Sequence, residues 1–362
     1  MFPPRAPFFC ALGSQAVLAS RPAKPATGPS GWCPVRRLPP TLTTEAGLVD
    51  NPRVPLYLSE ADVASLFEPA DAIPVIEECF RRIAAGAVVN QPRKRLPVPR
   101  GSFALMAAVD TELGYAGLKS YASVEGKTTF VVCLFSLADG QLTAVIEADK
   151  LGQLRTGAAS GVAVKHLARE GAASVGVIGC GWQAESQLAA VRATLSELER
   201  ALVWCRTAER LAAFCAGNDA ETADGAQEAA ACDVVVTATT SPDPVLRGDW
   251  LQEGALVCAV GANRPAAREL DNVVLERASF VCCDSLEQAQ HESGDLIEPV
   301  ATGVLDWLEV HELHEVVAGE VRGRAQMRDI VVFKSNGIAA WDVAIGAAAL
   351  ERARERGVGR EV

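Results

Sequence analysis

Three cations in the first half of the chain are placed where they could hold a small anion. Arg93 lies in Gln91-Pro92-Arg93-Lys94-Arg95-Leu96-Pro97, a basic segment bracketed by prolines. Lys119 sits in the middle of the apolar run 115–122, and Arg155 interrupts a helix-forming stretch of otherwise small residues. A planar arginine fork is a natural receptor for a carboxylate. A lysine inside an apolar strand either snorkels to solvent or faces a cleft, and periodicity alone leaves both readings open.

A second group of residues suits a larger anion. Gly179-Cys180-Gly181-Trp182-Gln183-Ala184 fits G-x-G-x-x-A immediately after the apolar run 175–178 and at the start of a helical pattern. Gly179 and Gly181 let the backbone approach a pyrophosphate, and the helix start at Trp182 and Gln183 supplies oriented N–H donors. The next strand ends Trp204-Cys205-Arg206-Thr207, with no acid until Glu209. An NAD site usually carries an acid there for the ribose 2′-OH. Arg206 and Thr207 instead suit a 2′-phosphate, so NADP(H) is favoured over NAD(H), the plainer reading being a surface arginine on a turn.

These groups need elements to carry them. Folded sequence begins near Leu56, where Ser59 and Asp62 read as a helix N-cap with its N3 acid, followed by a long helix to Gly86 that Pro74 can split. Strands are expected at 103–109, 115–122, 130–137 and 142–147, the last two joined by Ala138-Asp139-Gly140. This block reads as α+β. From about residue 149 a helix over 151–168 leads into apolar runs at 175–178, 201–204, 234–237, 256–260 and 280–282 separated by helices, the pattern of a doubly wound parallel sheet. A strand at 330–333 and a helix at 339–356, capped by Gly357, close the chain and are expected to return to the first block. The fold class is therefore α/β: a Rossmann-type domain over 151–328, and an α+β domain built from 56–150 and 329–362.

Composition narrows the function. With 34 Lys+Arg against 45 Asp+Glu, a net charge of −11 and no longer basic run than 93–95, the 362-residue chain offers nothing to a nucleic-acid backbone. No apolar stretch approaches the roughly 20 residues that span a bilayer. Residues 1–55 read as a disordered extension, whose first 44 residues carry five basic residues and no acid; the patch 8–19 resembles a weak signal or transit peptide, and a misplaced start codon is a further alternative. Eleven cysteines without a C-x-x-C pair are expected to be reduced, buried thiols of a cytoplasmic protein. His311-Glu312-Leu313-His314 spaces its histidines one residue too closely for a zinc helix and reads as a solvated helix face, and Ser160 stands one place late for a nucleophile elbow. No metal centre is expected.

Taken together, Gln91-Pro92-Arg93, Gly117-Leu118-Lys119, Leu154-Arg155-Thr156-Gly157-Ala158-Ala159-Ser160, the glycine loop, Val260-Gly261-Ala262-Asn263-Arg264-Pro265, Glu292-Ser293-Gly294-Asp295 and Lys334-Ser335-Asn336-Gly337 resemble the ornithine cyclodeaminase/μ-crystallin family. The resemblance implies a homodimer, with Arg93 and Arg155 binding a substrate carboxylate and Lys119 in the active site. It also implies Ser335 among the cofactor-binding residues. Members that act on free amino acids carry an aspartate where this chain has Asn263. Asparagine cannot take a proton or balance an ammonium, so Asn263 points to the ketimine-reductase branch. The expected activity is NAD(P)H-dependent reduction of a cyclic ketimine carboxylate such as Δ1-piperideine-2-carboxylate or Δ1-pyrroline-2-carboxylate, with Asn263 orienting the substrate nitrogen. The alternatives are an ornithine cyclodeaminase, an alanine-type dehydrogenase, or a non-catalytic NADP-binding protein.

Overall fold

The computed structural model describes residues 54–362; the expectations for the N-terminal extension fall outside the described residues. β1 (Leu56–Leu58) leads into α1 (Glu60–Leu66), whose N-cap is Ser59 with Asp62 reciprocating, and then α2 (Pro69–Ala84). The helical run divides at Phe67-Glu68. Pro74 lies inside α2, where the buried face of Ile73, Ile76, Cys79 and Phe80 outweighs the one hydrogen bond that proline removes.

Next come β2 (Val88–Val98), β3 (Gly101–Asp110), β4 (Tyr115–Val124), β5 (Lys127–Ser136) and β6 (Leu142–Glu147). β2 was not legible as a strand because Pro92 and Pro97 interrupt it. It survives as the outermost strand of its sheet, and its pairing with β3 shifts register between Gln91 and Lys94, beside the proline that cannot donate to the ladder. The bulge places Arg93 and Arg95 on the site described below.

α3 (Asp149–Leu167) then crosses to a second sheet through β7 (Ser174–Ile178), α4 (Trp182–Thr194), β8 (Arg200–Trp204), α5 (Ala208–Gly217), β9 (Glu221–Thr222), α6 (Ala226–Ala230), β10 (Val234–Thr237) and β11 (Leu256–Ala259). α7 (Asn272–Arg277), β12 (Ala278–Cys283), α8 (Leu286–Glu292), α9 (Gly294–Ala301), β13 (Val310–Glu312), α10 (Leu313–Val317), β14 (Ile330–Lys334), α11 (Ala339–Arg356) and β15 (Arg360–Glu361) complete the described chain.

The first sheet has the order β15-β1-β6-β5-β4-β3-β2 and is antiparallel except where β1 runs parallel to β6. The second has the order β13-β12-β14-β11-β10-β7-β8-β9 and is parallel throughout. Strand order reverses between β7 and β10, the crevice where ligands settle on open parallel sheets. β14 was expected to return with the last helix to the first sheet. Instead it lies between β11 and β12, because Ile330, Val331, Val332 and Phe333 are wholly apolar and buried on both faces, as an interior parallel strand requires. The chain leaves this sheet only after Lys334, and α11 packs against β2–β5 and α2. Gly357 ends it in the left-handed conformation, φ 65°.

α3 is buried along almost its whole length. Its small residues permit this: a Cβ on Gly157 would stand 2.5 Å from the Ser186 carbonyl oxygen on α4. Two histidines expected on a solvated helix face are separated instead, since His311 lies in strand β13 and stacks on Phe280 at 5.0 Å. Among the described residues no helix is long and apolar enough to cross a membrane.

Candidate active site

A cavity of about 400 Å³ opens where the bulged edge of the first sheet meets the C-terminal ends of the second. Its wall includes Arg93, Arg95, Lys119, Arg155, Gly181, Trp182, Gln183, Asn263, Ser335 and Asn336. Arg93, Lys119 and Arg155, expected on the substrate side, are thereby brought to one place with the glycine loop and Asn263, although all are far apart in the chain.

Lys119 faces the cleft. It is 3% exposed, its Nζ donates to Asp342 Oδ1 at 2.9 Å, and Nζ lies over Gly152, where a Cβ would come within 2.8 Å of it. Burial holds its pKa down to about 8; Asp342 works against that shift and Arg155 adds to it. Arg155 Nε stands 3.3 Å from the same Asp342 oxygen, while its Nη1 has no partner although it is buried. Asp342 comes from the first turn of α11 and is 1% exposed. Nothing in the sequence singled it out, since its partners are 223 and 187 positions away and an acid near a helix start is ordinary.

Arg93 is more committed than its expected role suggests. Nη1 pairs with Glu292 Oε2 at 2.6 Å, and Nη2 donates to the Asn336 and Gly337 carbonyls at 3.0 and 3.1 Å, leaving buried Nε without a partner. Arg95 Nη1 takes the other Glu292 oxygen at 2.5 Å, and its Nη2 donates to the Asn263 carbonyl at 3.1 Å. Asn263 is thus seated by its backbone on Arg95, with its side-chain oxygen 3.4 Å from the same nitrogen. Burial raises the pKa of Glu292 while the two arginines oppose the rise.

Two further buried carboxylates hold the loops at the strand ends. Glu269 accepts from the Gly261 and Ala262 backbone N–H groups, the Thr239 N–H and the hydroxyls of Thr237 and Thr239, fixing the loop that carries Asn263. Asp284 accepts from the Asn336 and Gly337 N–H groups at 2.7 and 2.6 Å and from the Ser335 hydroxyl at 3.1 Å. Ser335 therefore lines the cavity with its hydroxyl already bound inside the protein. Its neighbour is the residue sequence reasoning passed over: Asn336 is 4% exposed, borders the cavity, and has no protein partner for either side-chain amide atom. A buried amide in that state needs a ligand or water to complete it.

The dinucleotide features are assembled as strand, loop and helix. Gly179 has φ +124° and a Cβ there would meet the Ala238 carbonyl oxygen at 2.3 Å, so only glycine fits. Gly181 is the uncapped N-cap of the 13-residue helix α4, with nothing within 4 Å of where its Cβ would be. Free N–H donors thus face open space, the fit a pyrophosphate requires. Trp182 is half exposed beneath Lys150. Arg206 and Thr207 are exposed just beyond β8, and Arg206 forms no ion pair among the described residues. The expectation that all cysteines are free thiols is overturned here, since Cys180 and Cys205 form a disulfide. Scattered spacing could not reveal it; the parallel pairing of β7 with β8 brings the two strand ends together.

A sequence model of the ornithine cyclodeaminase/mu-crystallin family matches residues 53–357. An alanine dehydrogenase of Archaeoglobus fulgidus is 36% identical over 318 residues, which cover 85% of this chain and 98% of that protein. A Δ1-pyrroline-2-carboxylate reductase of Bacillus cereus is 33% identical, over 85% of this chain and 99% of its own length. The solved structure of Thermococcus litoralis Δ1-pyrroline-2-carboxylate reductase, in complex with NADH and L-proline, is similar with a TM-score of 0.80 and 32% identity, covering 85% of this chain and all of that one.

Proposed function

Because the chain belongs to the ornithine cyclodeaminase/mu-crystallin family, we propose that it reduces a cyclic ketimine carboxylate of the Δ1-pyrroline- or Δ1-piperideine-2-carboxylate type to the cyclic amino acid. The observation that carries this reading is the buried Lys119, a cation with a lowered pKa beside an arginine that still has a free donor. A bound nicotinamide dinucleotide supplies the hydride. Gly179 and Gly181 leave room for its pyrophosphate, Trp182 and Gln183 offer backbone donors, and the loop at Ser335 borders the same cavity.

The chain's own residues do the rest. Arg155 Nη1, with Lys119 and the buried Nε of Arg93, receives the substrate carboxylate, fixing the imine carbon within the cavity. Lys119, an ammonium at neutral pH with a pKa lowered to about 8, gives its proton to the imine nitrogen and makes the C=N electrophilic. Asp342 steadies that ammonium before transfer. Asn263 meets the nitrogen as a neutral hydrogen-bonding group and takes no proton from it. Arg206 and Thr207 favour the 2′-phosphate of NADPH, although the similar T. litoralis structure holds NADH. Homodimerisation is supported by the apolar side chains that the first sheet leaves exposed, among them Val89, Leu96 and Leu105.

The test is NADPH consumption with Δ1-pyrroline- and Δ1-piperideine-2-carboxylate. Turnover that Arg155→Ala abolishes supports the reading. Robust NAD-dependent ammonia release from ornithine, or oxidation of alanine, overturns it in favour of a cyclodeaminase or an amino-acid dehydrogenase. Tight NADPH binding without turnover on any imino acid overturns it in favour of a binding protein.

A further inference from the structure

The disulfide between Cys180 and Cys205 joins two segments that serve one ligand. Cys180 stands between Gly179 and Gly181, in the loop where the pyrophosphate fits, and Cys205 immediately precedes Arg206, where the ribose end is recognised. The two Cα atoms are 5.8 Å apart, and both residues are half-buried and reachable from solvent. The other described cysteines differ. Cys79, Cys215, Cys232, Cys258, Cys282 and Cys283 are buried and Cys133, on β5, is half-buried; burial raises the pKa of all seven thiols, which disfavours the reactive thiolate.

We infer that Cys180–Cys205 is a reversible thiol–disulfide modification site in the dinucleotide cradle, and that its bridged form is the tight-binding state. Adenosine-side binding needs the glycine loop and the Arg206 turn ordered together. A covalent tie removes part of that ordering cost before the ligand arrives. Apart from the bridge, the direct link between the two segments is the backbone hydrogen bond from Gly179 N–H to the Trp204 carbonyl at 2.8 Å, which stops short of Cys205 and Arg206. Reduction therefore frees the Arg206 turn from the loop while leaving the sheet intact.

The chemistry balances with a small disulfide such as oxidised glutathione as oxidant. One cysteine thiolate attacks a glutathione sulfur and expels one glutathione thiolate; the second cysteine thiolate then displaces the other glutathione and closes the Sγ–Sγ bond. The two cysteines lose two electrons and two protons, and glutathione disulfide is reduced to two glutathione thiols. A dithiol reverses the exchange.

The inference rests on the dinucleotide reading above but not on the identity of the substrate. It is tested on the full chain, poised in oxidised glutathione or in dithiothreitol. Alkylation and peptide mass spectrometry assign the bridge, and a calorimetric NADPH titration measures affinity. The bridged wild type is expected to bind about 3- to 10-fold more tightly than the reduced wild type, the range expected for ordering a short turn. Cys180→Ser and Cys205→Ser should each bind like the reduced form in both buffers. Failure to form the bridge, or affinity that is unchanged or tighter on reduction, overturns this inference alone. Absence of dinucleotide binding in both states overturns the cofactor reading and this inference with it.

Discussion

Lys119 and Asp342 lie 223 residues apart in the chain and 2.9 Å apart in the fold, with side-chain exposures of 3% and 1%. The pair is a buried ion pair with Arg155 as a third member, so its protonation is set by tertiary contacts. Burial destabilises the ammonium, Asp342 restores part of that loss, and Arg155 works against it.

Removing the carboxylate should expose this balance. In Asp342→Asn the factors that lower the lysine pKa are left unopposed, so Lys119 loses its proton at a lower pH. The alkaline limb of log kcat/KM, expected near pH 8 in the wild type if Lys119 sets it, should move down by about one unit or more. Initial rates across pH 6 to 10 on a cyclic imino acid, the buffer span being about four units, would detect it; an unmoved limb would show that Lys119 is not the titrating group.

Lys119→Met should lower kcat by about 100-fold or more, the usual scale for losing a positioned proton donor. It should also change how stability varies with pH. The folded-state pKa of about 8 is below the ordinary 10.5, so between these values the unfolded wild type binds more protons and its stability rises with pH. The cost of burying the ammonium is fully present below about pH 8 and is gone above about pH 10.5. Relative to the methionine variant, the wild type should gain about 3 kcal/mol across that window, measurable by urea unfolding at several pH values.

Glu292 answers two arginines at once, and Glu292→Gln leaves both guanidiniums without a counter-charge. A loss of about 3 kcal/mol is expected, because breaking a buried pair strands its partners. The unfolding midpoint should fall with an unchanged m-value. A variant as stable as the wild type would mean that water compensates Arg93 and Arg95.

Gly337 has φ +77°, and a Cβ there would lie 2.2 Å from Arg155 Nη1. Gly337→Ala should therefore displace the free donor of Arg155 as well as strain the backbone by about 1–2 kcal/mol. The KM for the imino acid should rise more than the KM for the dinucleotide. Equal changes in both would contradict the assignment of Arg155 to the carboxylate.

Arg206→Ala tests the coenzyme preference. Its exposed guanidinium should contribute about 10-fold to NADPH affinity through a charge-assisted contact and little to NADH. Direct binding titrations of the two coenzymes separate the outcomes, and an equal loss for both would contradict recognition of the 2′-phosphate.

Features governed by neighbours in sequence were readable in advance. The capping pair Ser59 and Asp62, the strand–glycine–helix unit at 174–194, and the last helix with its left-handed Gly357 each depend on contacts within a few residues, and local chemistry suffices for those. Arg93, Lys119, Arg155 and Asn263 could be singled out by type and by resemblance, and they line one cavity. The site's counter-charges were not readable. Asp342, Glu292, Glu269 and Asp284 are ordinary acids until folding removes water from around them and leaves one set of donors in reach. Nor was the place of β14, since a strand buried on both faces is apolar throughout and its sequence carries no record of its neighbours. The same reason hid the Cys180–Cys205 bond: covalent partners 25 residues apart meet only because a parallel sheet sets the ends of β7 and β8 side by side.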